Sequence, residues 1–85
     1  MTFTLKIKPK AEKNLDKLPV RYRTRVIQTL RSILSNPYEG KKLLGARSEQ
    51  YSVRVWPYRI IYMIEKDELI VFVIAVDHRQ GVYKK

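Results

Sequence analysis

The segment PYRIIYMIEKDELIVFVIAV, residues 57–76, predicts a β-hairpin. Residues 57–65 and 68–76 are rich in Ile, Val, Tyr and Phe, which favour strands, and the charged residues between them form the connection. The second strand is apolar on both faces, so we expect an inner strand that is covered on both sides. Alternate residues of the first strand belong to two faces. One face is apolar or aromatic, which predicts the side that faces the core, and consists of Tyr58, Ile60, Tyr62 and Ile64. The other face has one charged member and consists of Arg59, Ile61 and Met63.

The residues before the hairpin predict a strand followed by two helices. Residues 2–8, TFTLKIK, alternate between apolar and polar side chains, as a half-buried strand does. Pro9 suits the first turn of a helix, and Pro19 separates that helix from a second one over about residues 20–35. Each helix has one apolar stripe, which requires an apolar surface to pack against.

Residues 36–49, with two glycines and mixed charge, predict a loop, and residues 50–55 predict another strand. The element order is therefore β-α-α-β-β-β, followed by a short C-terminal element over residues 77–85. We predict a single α+β domain over residues 1–85, with an N-terminal helix hairpin packed on one face of a small, mostly antiparallel twisted sheet. The other face, which carries Arg59, is called the second face. We expect the C-terminal tail, a partner or both to cover part of it.

The composition predicts a small domain that binds a polyanion. The chain has 18 Lys and Arg against 8 Asp and Glu, a formal net charge of +10, and 45% hydrophobic residues, which suffice for a core. A basic folded chain of this kind is typical of binding to nucleic acid or the ribosome, and less often to an acidic protein or an anionic lipid. The alternative is that the charge only maintains solubility.

Several functional classes are disfavoured by the same totals. The chain contains no cysteine, so it has no disulfide framework and no thiolate metal site. No stretch approaches the ~20 apolar residues of a membrane span. A single histidine and scattered carboxylates give no cluster of metal ligands. We therefore expect a cytoplasmic protein with no membrane partner, no metal and no cofactor.

Without a metal, phosphodiester cleavage requires a base, an acid and fixed positive charge around the phosphate. Arg59 lies on the second face, where its guanidinium can hold two phosphate oxygens. The alternative for Arg59 is a salt bridge to Glu65 or another carboxylate on that face. Arg54 lies between Val53 and Val55, so it either shares the second face with Arg59 or is an ordinary solvated strand residue.

The end of the chain adds three candidates. Arg79 follows the hairpin, where its side chain can reach over the edge of the sheet. His78 can transfer protons near neutral pH, although a lone histidine is more often structural. Tyr83 can stack on a base or donate to a phosphate, or it can anchor the tail to the second face. The other cations that we interpret as contacts to nucleic-acid backbone or ribosome are Arg21, Arg23, Arg25, Arg31, Lys84 and Lys85.

Four segments of the chain form a known pattern when they are taken together. They are KAEKNLDKLP at residues 10–19, NPYEGKKLLG at 36–45, YSVRVWPYRIIYMI at 51–64 and VIAVDHRQGVY at 73–83. The most specific parts are the Tyr-Arg-hydrophobic-hydrophobic-Tyr strand and the His-Arg…Val-Tyr ending. In order and spacing, over essentially the whole chain, this pattern resembles the RelE toxins of the RelE/ParE toxin–antitoxin superfamily.

The resemblance implies an activity: metal-independent cleavage of messenger RNA in the ribosomal A site. In that family the 2′-hydroxyl attacks the adjacent phosphate, and a RelB-like antitoxin binds and neutralises the toxin. By this resemblance, Arg59 holds the scissile phosphate, Arg79 stabilises the phosphate as a proposed acid, and Tyr83 stacks on the nucleotide. Arg54 takes the place of a basic residue one strand earlier.

One position departs from the family pattern. RelE enzymes of the best-known type carry a lysine, proposed as part of the base, where this chain has Ser52. Because a guanidinium is effectively never deprotonated, Arg54 is a poor base, and His78 is the substitute that the sequence suggests. Two other functions stay open. One is a ParE-type inhibitor that poisons DNA gyrase without catalysis, and the other is a degenerate member that only binds its antitoxin or nucleic acid.

Overall fold

The structure is a computed structural model that describes residues 2–43 and 50–78 of the chain. Within these residues the elements are β1 (Thr4–Ile7), α1 (Pro9–Asp16), α2 (Val20–Ile33), a 3-10 turn (Pro37–Glu39), β2 (Lys41–Lys42), β3 (Gln50–Val55), β4 (Tyr58–Glu65) and β5 (Ile70–His78). The strands form one sheet in the order β1-β5-β4-β3-β2.

Two prolines set the starts of the helices. Pro9 occupies the first turn of α1, where its fixed φ and missing N–H are tolerated, and Pro19 is the N-cap residue of α2. Both predicted helices are present. The apolar stripes that they bury are Ala11 and Leu15 from α1, and Val26, Leu30 and Ile33 from α2. In the described part of the chain, neither helix is long and apolar enough to cross a bilayer.

The sheet has one parallel pair, β1 with β5, and three antiparallel pairs. The predicted α+β class, element order and mostly antiparallel sheet are confirmed. The predicted inner position of the last strand is also confirmed, because β5 lies between β1 and β4. β2 was predicted as loop. Its two lysines pair with Tyr51 and Ser52 of β3, and lysine has little preference for strands, so the pairing rather than local preference makes this segment extended.

β5 begins and ends later than predicted. It covers Ile70–His78 instead of residues 68–76, so Asp77 and His78 belong to the sheet and not to a separate C-terminal element. The remainder of that predicted element, residues 79–85, lies outside the described residues.

The face of the sheet that packs on α1 and α2 is called the helix face. Its buried strand residues are Val55 of β3, Ile60 and Tyr62 of β4, and Val71, Val73 and Val76 of β5. Tyr58 and Ile64 pack against the same core, so the predicted core-facing set of β4 is confirmed. The second face carries the alternate side chains, among them Ser52, Arg54, Arg59, Ile61, Met63, Phe72 and Asp77.

Four of the described side chains of the second face are buried although the helices lie on the other side. The exposed fractions are 1% for Ser52, 6% for Arg59, 7% for Ile61 and 9% for Ile70. The second face is therefore shielded from solvent around these residues. The predicted cover by the C-terminal tail concerns residues outside the described part of the chain.

A β-bulge decides which side chains of β5 reach the second face. The pairing of β4 with β5 shifts between Ile61 and Tyr62, where Ile74 is the extra residue. Val73 faces the helices before the bulge and Val76 faces them after it. Strict alternation from Val73 would bring residues 75 and 77 to the helix face. The bulge moves both of them to the second face.

Asn14 connects α1 to the bulged part of β5. Its Oδ1 accepts a hydrogen bond from the backbone N–H of Val76 at 3.0 Å. Val76 is 1% exposed, so the asparagine side chain satisfies a backbone donor that has no access to water. This bond holds the end of β5 in a fixed position relative to the helix.

Candidate functional site

Two arginines and one aspartate form a row across three strands of the second face. Arg54 of β3 lies directly opposite Arg59 of β4, and Arg59 lies directly opposite Asp77 of β5. Directly opposite residues of antiparallel strands project to the same face of the sheet. The Arg54–Arg59–Asp77 row therefore brings together two of the predicted catalytic arginines and one carboxylate that the sequence reasoning did not select.

The two arginines differ in their surroundings. Arg54 is exposed, whereas Arg59 is buried and donates a hydrogen bond from Nη1 to Oγ of Ser52 at 3.1 Å. Ser52 is therefore a polar residue in contact with the candidate site, at the position where the family pattern has lysine. Arg59 lies deeper than the partly desolvated position predicted from the sequence. A guanidinium held in this way presents a fixed charge, because little reorientation is open to it.

Of the two charge pairs in the row, the like charges of Arg54 and Arg59 are unfavourable for stability, and the opposite charges of Arg59 and Asp77 are favourable. Like charges directly opposite each other on a sheet destabilise it by about 0.2–1 kcal/mol. Burying a charged group costs several kcal/mol before any compensation, and one of these arginines is buried. The like charges of Arg54 and Arg59 therefore do not themselves stabilise the sheet. Two adjacent guanidinium groups can instead hold the oxygens of a phosphate.

The alternative for Arg59, a salt bridge to Glu65, does not fit the register. Glu65 is at the far end of β4 and pairs with Ile70, about 20 Å along the strand from Arg59. The carboxylate in register with Arg59 is that of Asp77. Oδ1 of Asp77 accepts a hydrogen bond from the backbone N–H of His78 at 2.9 Å.

His78 lies on the face opposite to the row. It pairs with Tyr58, and the two rings are in edge contact with centroids 5.8 Å apart. Tyr58 packs against the core under the helices, so the imidazole is on the helix side of the sheet. The structure therefore does not bring His78 together with Arg59. The other C-terminal candidates, Arg79, Tyr83, Lys84 and Lys85, lie outside the described residues.

The predicted helix-surface arginines do not all have the same environment. Arg23 is half-buried, and its Nε and Nη2 donate hydrogen bonds to the carbonyl oxygens of Leu15 and Leu18, each at 3.2 Å. Leu15 is in the last turn of α1, and Leu18 lies two residues beyond the end of that helix at Asp16. Arg23 therefore has a structural role, because two of its donors hold α1 against α2, and its contact with nucleic acid stays a prediction.

The other three arginines of this group are exposed. Arg21 lies over the ring of Tyr22, with the guanidinium carbon 4.9 Å from the ring centroid, and its Nη2 donates to the tyrosine hydroxyl. Arg25 and Arg31 are exposed residues of α2. These three remain accessible to a polyanion on the surface of the helix.

Sequence reasoning missed both Asp77 and Ser52 as members of the site. The signal for Ser52 was its position two residues before Arg54, which places both on the same face of β3. Asp77 had no such signal. Its place on the second face depends on the bulge at Ile74, which no simple pattern in the sequence marks.

The chain matches, over residues 5–83, the family described as "ParE toxin of type II toxin-antitoxin system, parDE". It therefore belongs to this family of toxins, within the RelE/ParE superfamily. Toxin RelG of Mycobacterium tuberculosis is 31% identical over 87 residues, which cover 100% of both chains. The resemblance found in the sequence motifs is thus confirmed.

Solved structures give the same family and fold. The toxin–antitoxin complex RelBE2 from Mycobacterium tuberculosis contains a chain with a TM-score of 0.86 and 28% identity, over 93% of this chain and 100% of that one. A mutant of the E. coli toxin RelE in complex with the antitoxin peptide RelBc has a TM-score of 0.81 and 26% identity, over 100% of this chain and 98% of that one. The helix pair packed on a five-stranded sheet is therefore the RelE-like fold.

Proposed function

We propose that this toxin is a ribosome-dependent, metal-independent endoribonuclease that cleaves messenger RNA in the A site and so inhibits translation. The observation that supports this function best is the neighbouring position of Arg54 and Arg59 on the second face. The transition state of phosphodiester cleavage carries more negative charge on the non-bridging oxygens than the ground state does. Fixed cations beside the non-bridging oxygens therefore lower the activation free energy of cleavage.

The proposed reaction is an attack by the 2′-oxygen on the adjacent phosphorus. A bond forms between them, the bond from phosphorus to the 5′-oxygen breaks, and a cyclic phosphate is left on the upstream product. Arg59 holds the phosphate in place, and Arg54 adds a second cation from the solvent side. The family pattern further assigns Arg79 to stabilising the phosphate as a proposed acid, and Tyr83 to stacking on the nucleotide.

The proposed substrate complex is the ribosome with its messenger RNA, in the cytoplasm. The net charge of +10 suits a surface that neutralises RNA phosphates. The exposed residues that would contact RNA backbone are Arg21, Arg25 and Arg31, with Lys84 and Lys85 at the C-terminal end. We propose a RelB-like antitoxin as the protein partner, because the chain resembles toxins from RelB-containing complexes.

The direct test is cleavage of a messenger RNA bound to purified ribosomes, followed by mapping of the new 5′ ends. The parent protein is expected to cut in the A-site codon. Arg54→Ala is expected to cut at least ~10²-fold more slowly, because one stabilising cation is removed. Lys13→Ala, which removes an exposed cation of α1, is the matched control and should cut like the parent. In cells, Arg59→Ala and Arg79→Ala should each abolish growth arrest.

The second candidate function is inhibition of DNA gyrase without catalysis, which is favoured by the ParE description of the matching family. The two functions predict different damage in cells that express the protein. Truncated transcripts with defined 5′ ends support the nuclease, whereas double-strand breaks and a DNA-damage response support gyrase poisoning. A parent protein that cuts no ribosome-bound messenger RNA would contradict the nuclease. A member that only binds its antitoxin would give neither result.

A further inference from the structure

We infer that Asp77 is the general base of the cleavage reaction, taking the proton of the attacking 2′-hydroxyl. This inference rests on the nuclease proposed above and names a catalytic residue that neither the motifs nor the family pattern supplied. It follows from the Arg54–Arg59–Asp77 row, from the bulge in β5 and from the environment of the other candidate bases.

The reaction needs a base, and the described residues of the second face offer few. Arg54 and Arg59 keep their protons under all ordinary conditions. Ser52 stands where the family pattern has lysine, is 1% exposed, and has its hydroxyl oxygen engaged by Arg59. His78 lies on the helix side of the sheet against Tyr58.

The lysines of the second face lie farther from the arginines. Lys41 is opposite Ser52 in β2, and Lys6 is opposite Phe72 in β1, so each is two strands from β4. Lys8, which follows β1 beside β5, is also two strands from β4, and its Nζ lies over the ring of Phe72, 5.0 Å from the centroid. Two strand spacings are about 10 Å. Asp77 is one spacing, about 5 Å, from Arg59 and directly in register with it. A carboxylate at this distance from Arg59 can reach the 2′-hydroxyl of a nucleotide when the guanidinium holds the adjacent phosphate.

The carboxylate of Asp77 is also oriented. Its Oδ1 accepts the backbone N–H of His78 at 2.9 Å, and the residue is half-buried. This bond limits rotation of the side chain and occupies one oxygen, while Oδ2 can accept a proton. The charged groups on this face of the neighbouring elements, within the described residues, are Arg59 on β4, Arg54 beyond it on β3, Lys6 on β1 and Lys8 directly after β1.

In the proposed step one proton moves to Asp77, one bond to phosphorus forms and one bond to phosphorus breaks. Oδ2 of Asp77 takes the proton of the 2′-hydroxyl while the 2′-oxygen bonds to phosphorus. The 5′-oxygen leaves with the electron pair of the broken bond and takes a proton from water. Arg59 and Arg54 hold the negative oxygens throughout. The protonated carboxyl group then returns its proton to the solvent, which restores the enzyme.

The competing role for Asp77 is electrostatic only. If it merely offsets the charge of Arg59, Asp77→Asn makes the site more positive, which strengthens binding to RNA and leaves the rate of the chemical step intact. If it is the base, the same substitution keeps the size and shape of the side chain but removes the proton acceptor. The two roles therefore predict different rates of the chemical step: an unchanged rate for the electrostatic role and a reduced rate for the base.

The test is single-turnover cleavage of ribosome-bound messenger RNA by the parent, Asp77→Asn, Asp77→Glu and Lys41→Ala. Asp77→Asn is expected to reduce the maximal rate ~10²-fold or more, with ribosome affinity unchanged or higher. The parent is expected to lose rate at acidic pH, as a carboxylate base requires, and Asp77→Asn to lack this loss. Asp77→Glu should recover part of the rate, and Lys41→Ala should match the parent. If Asp77→Asn does not fold, Asp77→Ser, with a smaller side chain, replaces it in the same comparison.

The outcomes separate this inference from the function on which it rests. If the parent cleaves and Asp77→Asn cleaves at the parent rate with the parent pH dependence, Asp77 is not the base and the nuclease stands. A rate in Lys41→Ala that falls as far as in Asp77→Asn would also overturn the assignment, because the loss of rate would then not be specific to the carboxylate. If the parent itself does not cleave, the proposed function fails.

Discussion

Oγ of Ser52 accepts a hydrogen bond from Nη1 of Arg59 at 3.1 Å, between two strands and out of contact with solvent. The serine thereby helps to fix a buried guanidinium that faces the same side of the sheet as Arg54. A lysine, which the family pattern has at this position, would place a second cation beside Arg59. The serine at position 52 is thus compatible with a buried Arg59, because its hydroxyl accepts a hydrogen bond from the guanidinium and adds no charge.

Ser52→Lys is therefore expected to destabilise the fold. The new ammonium group would enter a site that is 1% exposed and already cationic, so the free energy of unfolding should fall by about 2–4 kcal/mol. Denaturant unfolding followed by circular dichroism measures the change. Gln50→Lys, on the same strand and face but partly exposed, is the control and should be much milder. Equal free energies of unfolding for the two variants would show that a lysine at position 52 is tolerated as well as one at a partly exposed position.

Gly40→Ala is expected to destabilise the protein through Tyr62. A Cβ at Gly40 would overlap the Tyr62 hydroxyl, which donates a hydrogen bond to the carbonyl oxygen of Pro37 at 2.6 Å. Overpacking of this kind typically costs about 1–3 kcal/mol. In a Tyr62→Phe background the main overlap is absent, so Gly40→Ala should cost less there. Additive effects in this double-mutant cycle, measured by denaturant unfolding, would contradict the proposed contact.

Stability should fall at strongly alkaline pH because of Tyr62. Burial raises the pKa of Tyr62 from 10.0 to about 12. Between these values the unfolded chain loses the phenol proton and the folded chain keeps it, so the free energy of unfolding decreases as pH rises, by up to about 2–3 kcal/mol. Tyr62→Phe should lack this part of the decrease. The comparison uses unfolding midpoints at several alkaline pH values, and identical slopes for both proteins would refute it.

Arg23→Ala is expected to lower stability more than the loss of a surface arginine does. It removes two hydrogen bonds to the carbonyls of Leu15 and Leu18, and the expected cost is about 1–3 kcal/mol. Arg25→Ala, an exposed residue of the same helix, should change the free energy of unfolding by less than about 0.5 kcal/mol. Urea unfolding of both variants tests this. A cost for Arg25→Ala as large as that for Arg23→Ala would remove the structural role assigned to Arg23.

The strand that carries Arg59 was predictable because its signal is local. Alternation along β4 assigned Tyr58, Ile60, Tyr62 and Ile64 to the core, and their packing confirms it. Arg54 was expected either on the second face or as an ordinary solvated residue. The antiparallel register of β3 and β4 places it on that face, directly opposite Arg59.

The sequence by itself determined the order of helices and strands, the core-facing side of β4 and the membership in a toxin family, because prolines, side-chain alternation and motifs are local properties of the chain. The tertiary structure alone decided the pairing of β2, the use of Arg23 inside the fold, and the sides on which Asp77 and His78 lie. These features depend on which segments of the chain pack or pair with each other in the folded protein. One extra residue at Ile74 reverses the faces of everything after it in β5, and only pairing with β4 shows where that residue is.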